Sequence, residues 1–443
     1  MEKFIIKGGQ KLKGVTSVSG SKNMALKALV AACLTEEKVV IKNIPLISDF
    51  MIMADIIEEF GGKVNISGHT ATVEVKEIRN IDMSLDKAAA VRTSAMFMAP
   101  FLARNKRALI PNPGGCRIGA RPIDRIIDGL TKMGIHANYN SRDGYFHLEV
   151  KGKINGASYR FSKNTHTGTE TLILTSVLSE GQTVLENAAQ EPEVDDLINL
   201  LNSMGAKVKR VKPRTILIEG VGNLHGTTFE VPADRNEIVT LAIAAVLTKG
   251  DLLIRNINSR GISEVLKVFD KCGGGFKEEK EGIRFYNKGS ISPTEIETSF
   301  YPGFMTDWQG PWAVFMTQAG GISTIHETIY ESRFGYVDEL RKMGAKIEFF
   351  NPKVKNPEKF YNFNYGDNRP EHKHAIKIEG AIRFHNAVVD ISDLRAGATL
   401  VLAALIAYGE TVIFGVEHLD RGYEQFEERL NKLGAKIIRE KEV

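Results

Sequence analysis

Lys342-Met343-Gly344-Ala345-Lys346-Ile347 has the pattern of a helix end, a glycine and the first residues of a strand. A glycine at this place can take the left-handed conformation that ends a helix. The same pattern occurs six times, at residues 59–64, 132–135, 203–208, 271–276, 342–347 and 432–437. The copies lie about 70 residues apart, and about 90 in the last interval, so the sequence predicts six repeats of one α/β unit.

An apolar helix that runs into a strand lies about half a period away from each of these glycines. Clear copies occupy residues 25–43, 171–187, 241–256 and 400–416, and looser copies occupy 94–111 and 314–329. Helices that are apolar on all sides are buried, so we expect them inside a ring of sheets. Because 443 residues exceed one hydrophobic core, three units are expected in each half, with the midpoint near Phe229-Glu230-Val231-Pro232.

Composition and charge exclude several classes of protein. Hydrophobic residues make up 43% of the chain and charged residues 25%, as in ordinary globular proteins. The small net charge of +4 argues against a dedicated nucleic-acid binder. Cys33, Cys116 and Cys272 have no paired spacing, so neither a disulfide framework nor a zinc site is predicted, and a reducing cytoplasm is expected. The N-terminus lacks a signal-peptide core, and no apolar run approaches the roughly 20 residues that span a bilayer.

A glycine-rich loop from Pro113 to Pro122 interrupts the repeat, between a predicted strand and a helix predicted to begin near Pro122. The loop contains Cys116 between guanidinium groups at Arg117 and Arg121. Fixed positive charge lowers the pKa of a thiol, so Cys116 is a candidate nucleophile or proton donor. The alternative is an ordinary turn with a buried, inert cysteine.

Cationic side chains stand at the starts of three apolar helices: Lys22 in Gly20-Ser21-Lys22-Asn23, Arg92 in Val91-Arg92-Thr93-Ser94, and Arg395 in Ser392-Asp393-Leu394-Arg395. A cation beside the free N–H groups of a helix start can bind an anion. The alternatives are a solvated lysine in a capping turn, an arginine that points to solvent, and a local pair between Asp393 and Arg395.

Two further polar loops stand out. The aromatic, glycine-rich loop from Tyr301 to Gly310 contains a single carboxylate, Asp307, which is either a helix N-cap or a general base. The segment from His418 to Glu424 precedes the last helix and contains Arg421. Because cations recur at helix starts in both halves of the chain, we expect a cleft for a substrate with phosphate and carboxylate groups.

The sixth unit is longer than the others because of residues 349–377, which are rich in Asn, Lys, Pro and aromatic side chains. This insertion is predicted to be a surface loop or flap. Within it, Glu371-His372-Lys373-His374 has no third ligand at a suitable spacing for a metal, so a solvated loop is favoured.

These motifs together resemble the signatures of the enolpyruvyl transferase family, in its UDP-N-acetylglucosamine 1-carboxyvinyltransferase branch. The resemblance extends over essentially the whole chain and in order. It rests on residues 20–23, the Cys116 loop with Arg121-Pro122, residues 302–304 with 306–309, residues 393–395 and residues 420–424.

The resemblance implies an α/β fold, a two-domain inside-out α/β barrel in which each domain has three repeats of a small α/β unit. It implies one discontinuous domain, residues 1–21 and 231–443, that carries Asp307, Arg395 and Arg421. The other domain, residues 22–230, would carry Lys22, Arg92 and the Cys116 loop.

The activity implied by the resemblance is transfer of the enolpyruvyl group of phosphoenolpyruvate to the 3′-hydroxyl of UDP-N-acetylglucosamine, with release of phosphate. This is the first committed step of peptidoglycan synthesis, in the cytoplasm. The implied partners are these two substrates, without nucleic acid or membrane, and the implied state is a monomer or weak homo-oligomer. No metal or organic cofactor is required, because side chains neutralise the leaving phosphate.

The same resemblance assigns roles to individual side chains. Lys22, Arg121 and Arg421 would hold phosphoenolpyruvate, and Arg92 and Arg395 would add positive field. Asp307 would take the proton of the sugar hydroxyl or orient that hydroxyl. Cys116 would protonate the methylene carbon of phosphoenolpyruvate, could form an adduct with it, and would be alkylated by fosfomycin. The sugar and nucleotide contacts would come from Asn23, the backbone of Ile329, the run Arg121, Pro122, Ile123, Asp124 and Arg125, and the run Lys163, Asn164, Thr165 and His166.

The chain departs from the family pattern at three places. It has Thr165-His166-Thr167 where the family usually has Ser-Val-Gly, Met305 in place of a proline, and the atypical insertion 349–377. Two alternatives therefore stay open. One is a paralogous enolpyruvyl transferase that acts on another nucleotide or on shikimate 3-phosphate, although the shikimate enzyme lacks the cysteine loop. The other is a catalytically silent binding protein on the same scaffold.

Overall fold

The computed structural model describes residues 2–114 and 118–441. The strands in these ranges are, in chain order, β1 Glu2–Lys7, β2 Lys13–Thr16, β3 Val39–Lys42, β4 Lys63–Ser67, β5 Thr70–Glu74, β6 Arg107–Pro111, β7 Ile135–Asn140, β8 Tyr145–Val150, β9 Ser158–Arg160, β10 Gln182–Glu186, β11 Lys207–Lys212, β12 Thr215–Glu219, β13 Thr228–Glu230, β14 Asp251–Arg255, β15 Gly274–Glu279, β16 Gly282–Asn287, β17 Glu295–Glu297, β18 Ile322–His326, β19 Lys346–Phe350, β20 Ala375–Glu379, β21 Val388–Asp390, β22 Glu410–Phe414 and β23 Ile437–Lys441.

The α-helices in the same ranges are α1 Lys22–Ala32, α2 Ser48–Glu59, α3 Leu85–Ala90, α4 Met98–Asn105, α5 Asp124–Lys132, α6 His166–Ser176, α7 Pro192–Ser203, α8 Arg235–Leu247, α9 Ser263–Lys271, α10 Gln309–Thr317, α11 Val337–Lys342, α12 Pro357–Phe360, α13 Leu394–Ile406 and α14 Phe426–Lys432. Short 3₁₀ helices occupy Arg92–Phe97, Thr306–Trp308, Tyr365–Asp367 and Val416–His418. No helix in the described part of the chain combines the length and hydropathy needed to cross a bilayer.

The chain forms two compact units, each with three small sheets. Unit 1 comprises the described residues of Met1–Ser19, Cys116–Arg121 and Ala233–Val443, and unit 2 comprises those of Gly20–Gly115 and Pro122–Pro232. The sheets of unit 1 have the strand orders β21-β22-β1-β23, β15-β16-β14-β2 and β17-β18-β20-β19. Those of unit 2 are β13-β3-β5-β4, β6-β8-β7 and β11-β12-β10-β9.

The six predicted glycine caps are confirmed. Gly61, Gly134, Gly205, Gly273, Gly344 and Gly434 all have φ between 85° and 107°. This is the left-handed conformation that ends a helix and that side chains with a Cβ rarely adopt. The six repeats in the sequence therefore correspond in number to the six sheets of the structure.

The predicted burial of the apolar helices is also confirmed. Every residue of α8 and of α10 is buried, as is every residue of α13 except the last. These three helices pack on one another inside unit 1. In unit 2, α1 and α6 are buried along nearly their whole lengths. Burial on all sides explains why these helices lack a polar face in the sequence.

The insertion 349–377 comprises the end of β19, α12, a 3₁₀ turn and the start of β20. The expectation of a solvated loop is wrong for its end, because the His374 side chain is only 3% exposed. Its ring packs against the rings of Tyr361 and Phe363, at centroid distances of 4.7 and 5.3 Å. The aromatic residues of the insertion, which the polar composition obscured, give it a small core of its own.

Candidate active site

Asp307 lies between two buried residues, Thr306 and Trp308, in the 3₁₀ turn that leads into α10. One carboxylate oxygen, Oδ1, accepts a hydrogen bond from Nη2 of Arg333 at 2.9 Å. The other, Oδ2, accepts from Nη2 and Nε of Arg395 at 3.0 and 3.2 Å. The alternative that Asp307 is an N-cap is wrong, since Met305 and Trp308 occupy the N-cap positions of the 3₁₀ turn and of α10.

The charge state of Asp307 follows from this arrangement. Burial alone would raise the pKa of the carboxyl group, but the positive charges of Arg395 and Arg333 hold its pKa well below the ordinary value. The side chain keeps 27% of its surface exposed, so it stays accessible from solvent. Asp307 is therefore an ionised carboxylate, the state in which a carboxyl group can accept a hydrogen bond from a hydroxyl.

Arg395 is the second residue of α13, and the N-terminal cap of this helix fixes its position. Asp393 is the N-cap of this helix, and its Oδ1 accepts from the backbone N–H groups of Arg395 and Ala396 at 2.9 and 3.2 Å. The alternative of a side-chain pair between Asp393 and Arg395 is therefore wrong. The guanidinium of Arg395 instead contacts Asp307 and donates from Nη1 to the hydroxyl of Tyr423 at 3.1 Å.

Glu327 fixes the turn that contains Ile329. Its Oε1 accepts from the backbone N–H of Ile329 at 2.7 Å, and its Oε2 accepts from the hydroxyl of Thr306 at 2.8 Å. The carboxylate therefore ties the turn to the residue that precedes Asp307. Because the N–H of Ile329 is used here, a backbone contact from Ile329 to a sugar would come from its carbonyl oxygen.

Residues 118–121, at the end of the glycine-rich loop, contact residues 330–332. The backbone N–H of Ala120 donates to Oε1 of Glu331, and the guanidinium of Arg121 lies 5.4 Å from the ring centre of Tyr330. Gly119 has φ +148°, and a Cβ there would approach the Glu331 carboxylate to 2.3 Å. These contacts group residues 118–121 with unit 1, whereas the sequence placed the loop in the 22–230 domain. Cys116 and its neighbours 115 and 117 lie outside the described residues.

In unit 2, Lys22 is the first residue of α1, whose N-cap is Ser21. Its ammonium group lies 2.7 Å from Oδ2 of Asp49, and its side chain is only 11% exposed. The alternative of a solvated lysine is therefore wrong. The next residue, Asn23, is half-buried. Arg92 begins the 3₁₀ helix before α4 and donates from Nη1 to the carbonyl of Pro113 at 3.3 Å, so it contacts the start of the glycine-rich loop.

The predicted nucleotide segments lie at the starts of α5 and α6. The helix α5 begins at Asp124, two residues later than expected from Pro122, and Ile123 is its N-cap. The carbonyl of Arg125 accepts from the hydroxyl of Tyr159 at 3.0 Å. Lys163 lies in the loop before α6, where the amide of its neighbour Asn164 donates to the carbonyl of Asn187 at 3.2 Å.

Thr165 and His166 begin α6. The hydroxyl of Thr165, the N-cap, accepts from the backbone N–H of Gly168 at 3.2 Å. Nε2 of His166 lies 3.0 Å from Oε1 of Glu170, and Oε2 of Glu170 lies 3.1 Å from Nζ of Lys27. Thr167, where the family usually has glycine, lies in the first turn of α6. A helical conformation there is open to threonine, so this departure costs no backbone strain.

Arg421 lies in the turn before α14 and is half-buried. The preceding residue, Asp420, accepts from both terminal nitrogens of Arg439, at 2.9 and 2.7 Å. A bidentate pair of this kind fixes the turn in which Arg421 sits.

Sequence reasoning missed four polar residues of unit 1: Arg235, Asn236, Glu331 and Arg333. Asn236 donates from Nδ2 to Oδ2 of Asp307 at 3.4 Å, and the positive charge of Arg235 helps to lower the pKa of Asp307. Arg235 follows Asp234, which caps α8 by accepting from two backbone N–H groups. A capping residue followed closely by a cation also occurs at α1 and α13, so this pattern could have identified Arg235. Arg333 has no comparable signal, because its importance comes only from folding beside Asp307.

No cluster of three or more histidine, cysteine or carboxylate side chains within residues 2–114 and 118–441 is arranged to hold a metal ion. The side chains in the two units instead hold charge by pairing arginine and lysine with carboxylates. Such arrangements can neutralise an anionic substrate when it exchanges places with a carboxylate.

Comparisons with known proteins identify the class. The model of the EPSP synthase (3-phosphoshikimate 1-carboxyvinyltransferase) family matches residues 6–430. The crystal structure of the enolpyruvyl transferase NikO from Streptomyces tendae superposes with a TM-score of 0.85, at 23% identity over 100% of this chain and 99% of that one. EPSP synthase from Acinetobacter baumannii gives a TM-score of 0.71 at 17% identity, with all of both chains covered. The enolpyruvyl transferase fold expected from the sequence is thus confirmed.

Sequence identity is higher to one branch of this family than to the two solved structures. A UDP-N-acetylglucosamine 1-carboxyvinyltransferase of Koribacter versatilis is 39% identical over 443 residues, which are 99% of this chain and 96% of the relative. A protein of the same name from Endomicrobium trichonymphae is 39% identical over 441 residues, 99% of each chain. The chain therefore belongs to the enolpyruvyl transferase family and is an enzyme of that class.

Proposed function

We propose that this enzyme transfers the enolpyruvyl group of phosphoenolpyruvate to the 3′-hydroxyl of UDP-N-acetylglucosamine and releases phosphate, the first committed step of peptidoglycan synthesis. The observation that supports this most strongly is 39% identity over 99% of the chain to enzymes named for that reaction. The Cys116 loop, which the shikimate enzyme lacks, favours the same acceptor over shikimate 3-phosphate.

The proposed chemistry uses Asp307 and Cys116 as the proton-transfer pair. The sugar oxygen forms a bond to the central carbon of phosphoenolpyruvate while its proton passes to Asp307. Cys116 supplies a proton to the methylene carbon, which becomes a methyl group. The resulting intermediate then loses phosphate, which takes up the proton held by Asp307, and one methyl proton, which returns to the Cys116 thiolate, so that the vinyl group and both side chains are regenerated. Arg333 and Arg395 keep Asp307 ionised, so it is in the acceptor state before the substrate binds.

The cationic side chains have the proposed task of holding the phosphate and carboxylate of phosphoenolpyruvate. We assign Lys22, Arg121 and Arg421 to this contact, with Arg92 and Arg395 adding positive field. Lys22 and Arg395 already face the carboxylates of Asp49 and Asp307. The anionic groups of phosphoenolpyruvate would therefore share Lys22 and Arg395 with these carboxylates or take the place of the carboxylates.

The remaining assignments concern the nucleotide-sugar contacts, the domains, the cellular location and the oligomeric state. We assign the sugar contacts to Asn23 and Ile329, and the nucleotide contacts to residues 121–125 and 163–166. The proposed domains are residues 1–21 with 231–443, and residues 22–230, from which residues 118–121 depart by their contacts in unit 1. The proposed location is the cytoplasm, and the proposed state is a monomer or weak homo-oligomer.

Phosphate release from phosphoenolpyruvate with a panel of acceptors tests the proposed substrate. UDP-N-acetylglucosamine should support turnover, whereas shikimate 3-phosphate and UMP should not. Equal turnover with UMP would point to a paralogous enzyme, and turnover with shikimate 3-phosphate alone would overturn the proposal.

Fosfomycin labelling tests the role of Cys116. The epoxide should alkylate Cys116 and spare Cys33 and Cys272, because burial raises the pKa of both of these thiols. Cys116→Ser should abolish labelling. Cys116→Asp should retain turnover and resist the drug, since a carboxylic acid can deliver a proton but is a poor nucleophile towards an epoxide. An adduct on Cys33 or Cys272 instead would contradict the assignment.

A further inference from the structure

The insertion 349–377 is packed as a small aromatic cluster. The rings of Tyr361 and Phe363 stack with centroids 5.0 Å apart and planes inclined by 27°, and His374 lies against both. The side chains of all three are nearly or fully buried. Nε2 of His374 lies 3.0 Å from the amide oxygen of Asn368, which is a further contact inside the insertion. These ring contacts make the insertion a packed cluster that can support the residues it touches.

This cluster contacts the end of β18 through side chains. The His326 ring stacks on Phe360 at 5.3 Å with an angle of 19° between planes. Its Nε2 lies 3.2 Å from the hydroxyl of Tyr361, and its Nδ1 lies 3.3 Å from the carboxylate of Glu297. Tyr361 therefore contacts both the interior of the insertion and the last residue of the strand.

The backbone beyond β18 is held by the same insertion. The register of β18 and β20 ends with His326 opposite Ala375, so residues 327 and 328 lie past the sheet. The N–H of Glu327 donates to the carbonyl of His374 at 2.7 Å, and the N–H of Asn362 donates to the carbonyl of Thr328 at 2.8 Å. Thr298 adds a bond from its hydroxyl oxygen, which accepts from the N–H of Thr328 at 2.9 Å.

The segment held in this way, residues 327–331, is the one that organises the site in unit 1. Glu327 binds the N–H of Ile329 and the hydroxyl of Thr306, next to Asp307. Glu331 accepts from the N–H of Ala120. A displacement of residues 327 and 328 would therefore change the positions of Ile329, Thr306 and Glu331 together.

We propose that Tyr361, at the centre of the aromatic insertion, is a positioning residue that fixes residues 327–331 for the reaction. The inference rests on the proposed function and deepens it, because it assigns the atypical insertion a task in that site. Tyr361 acts through His326 and Glu327, and it is not assigned a contact with substrate. Misplacement of a site by about 1 Å can cost up to about a hundredfold in rate, so loss of this support should be visible in kcat.

The test compares Tyr361→Ala, Tyr361→Phe and a control, Tyr408→Ala, which removes a 71% exposed ring from unit 1. Steady-state kinetics are measured below the melting temperature of every variant, together with hydrogen exchange of peptides that cover residues 327–333. Tyr361→Ala should lower kcat about tenfold and speed exchange in these peptides. Tyr361→Phe keeps the stacked ring and should restore most of both properties, and Tyr408→Ala should change neither.

Three results would overturn the inference: unchanged kcat in Tyr361→Ala, faster exchange spread throughout unit 1, or a kcat loss that the Tyr408 control reproduces. An inactive wild-type enzyme with UDP-N-acetylglucosamine would refute the proposed function instead. In that case the exchange data decide the inference, since a local increase at residues 327–333 supports it and uniform exchange contradicts it.

Discussion

Asp307 in unit 1 and Glu170 in unit 2 are carboxylates that each lie between two cationic side chains. Asp307 is held by Arg333 and Arg395 at 2.9 and 3.0 Å. Glu170 is held by Lys27 and His166 at 3.1 and 3.0 Å. In both units the carboxylate is close to the start of a buried helix, so the two units use a similar arrangement of charge.

The difference lies in exposure and in the chemistry of the cations. The Asp307 side chain is 27% exposed, whereas the Glu170 side chain is fully buried. A guanidinium keeps its charge at any working pH, whereas an imidazole loses its charge near neutrality. Asp307 is therefore accessible from solvent and stays ionised over the neutral pH range. Glu170 instead supports α1 and α6 from inside, in a cluster that responds to pH.

The largest effect is expected from Asp307→Asn. The amide cannot take the sugar proton, so kcat for phosphate release should fall by about a hundredfold to ten-thousandfold. The matched control is Asp338→Asn, because Asp338 is 75% exposed and pairs with its helix neighbour Arg341. A loss of less than threefold in Asp307→Asn would remove Asp307 from the chemistry.

Glu170→Gln should act mainly on stability. It removes the negative charge that lies against the buried Lys27 and the half-buried His166, which should cost about 3 kcal/mol in the free energy of unfolding. Adding Lys27→Met should recover part of this loss, because the unpaired charge is then removed as well. Urea denaturation gives the free energies. The contrast, in which Asp307 serves the reaction and Glu170 serves stability, would be contradicted if Glu170→Gln lowered kcat more than Asp307→Asn does and left the free energy of unfolding unchanged.

The smallest effect is a difference in pH dependence. Burial alone would lower the pKa of His166, but Glu170 raises it above its ordinary value of 6.5. The stability that protonated His166 contributes is thus full below pH 6.5 and is lost as the pH rises through its folded pKa. For Asp307, whose pKa is lowered, the contribution is present above about pH 4 and is lost on acidification.

Melting temperatures from pH 3 to pH 8.5 test this difference, with His166→Asn and Asp307→Asn as the variants. His166→Asn should flatten the decline on the alkaline side, and Asp307→Asn should flatten the decline on the acid side. The contrast between the two carboxylates would be contradicted if His166→Asn changed the acid side of the melting-temperature curve and Asp307→Asn changed the alkaline side.

The repeat and the buried helices could be predicted from the sequence because they depend on local rules. The six glycine caps need a left-handed residue, and helices without a polar face must be buried. Lys22, Arg395 and Asp307 were found because cations and a carboxylate at helix starts are visible in order along the chain.

Other parts of the site depend on contacts between distant residues. Arg333 reaches Asp307 across 26 positions, and Lys27 reaches Glu170 from another helix. The aromatic packing of the insertion was missed because its polar composition suggested solvent, while Tyr361, Phe363 and His374 are spaced irregularly. Long-range pairing of this kind has no periodic signature in a single sequence.

Proton NMR of the product is the most direct test of the central claim. Wild-type enzyme with phosphoenolpyruvate and UDP-N-acetylglucosamine should form one nucleotide sugar with two vinyl protons, and its enolpyruvyl group should be linked through the 3′-oxygen. Asp307→Asn should form the same product far more slowly. Release of phosphate without this product, or an enolpyruvyl group on a different oxygen, would contradict the account.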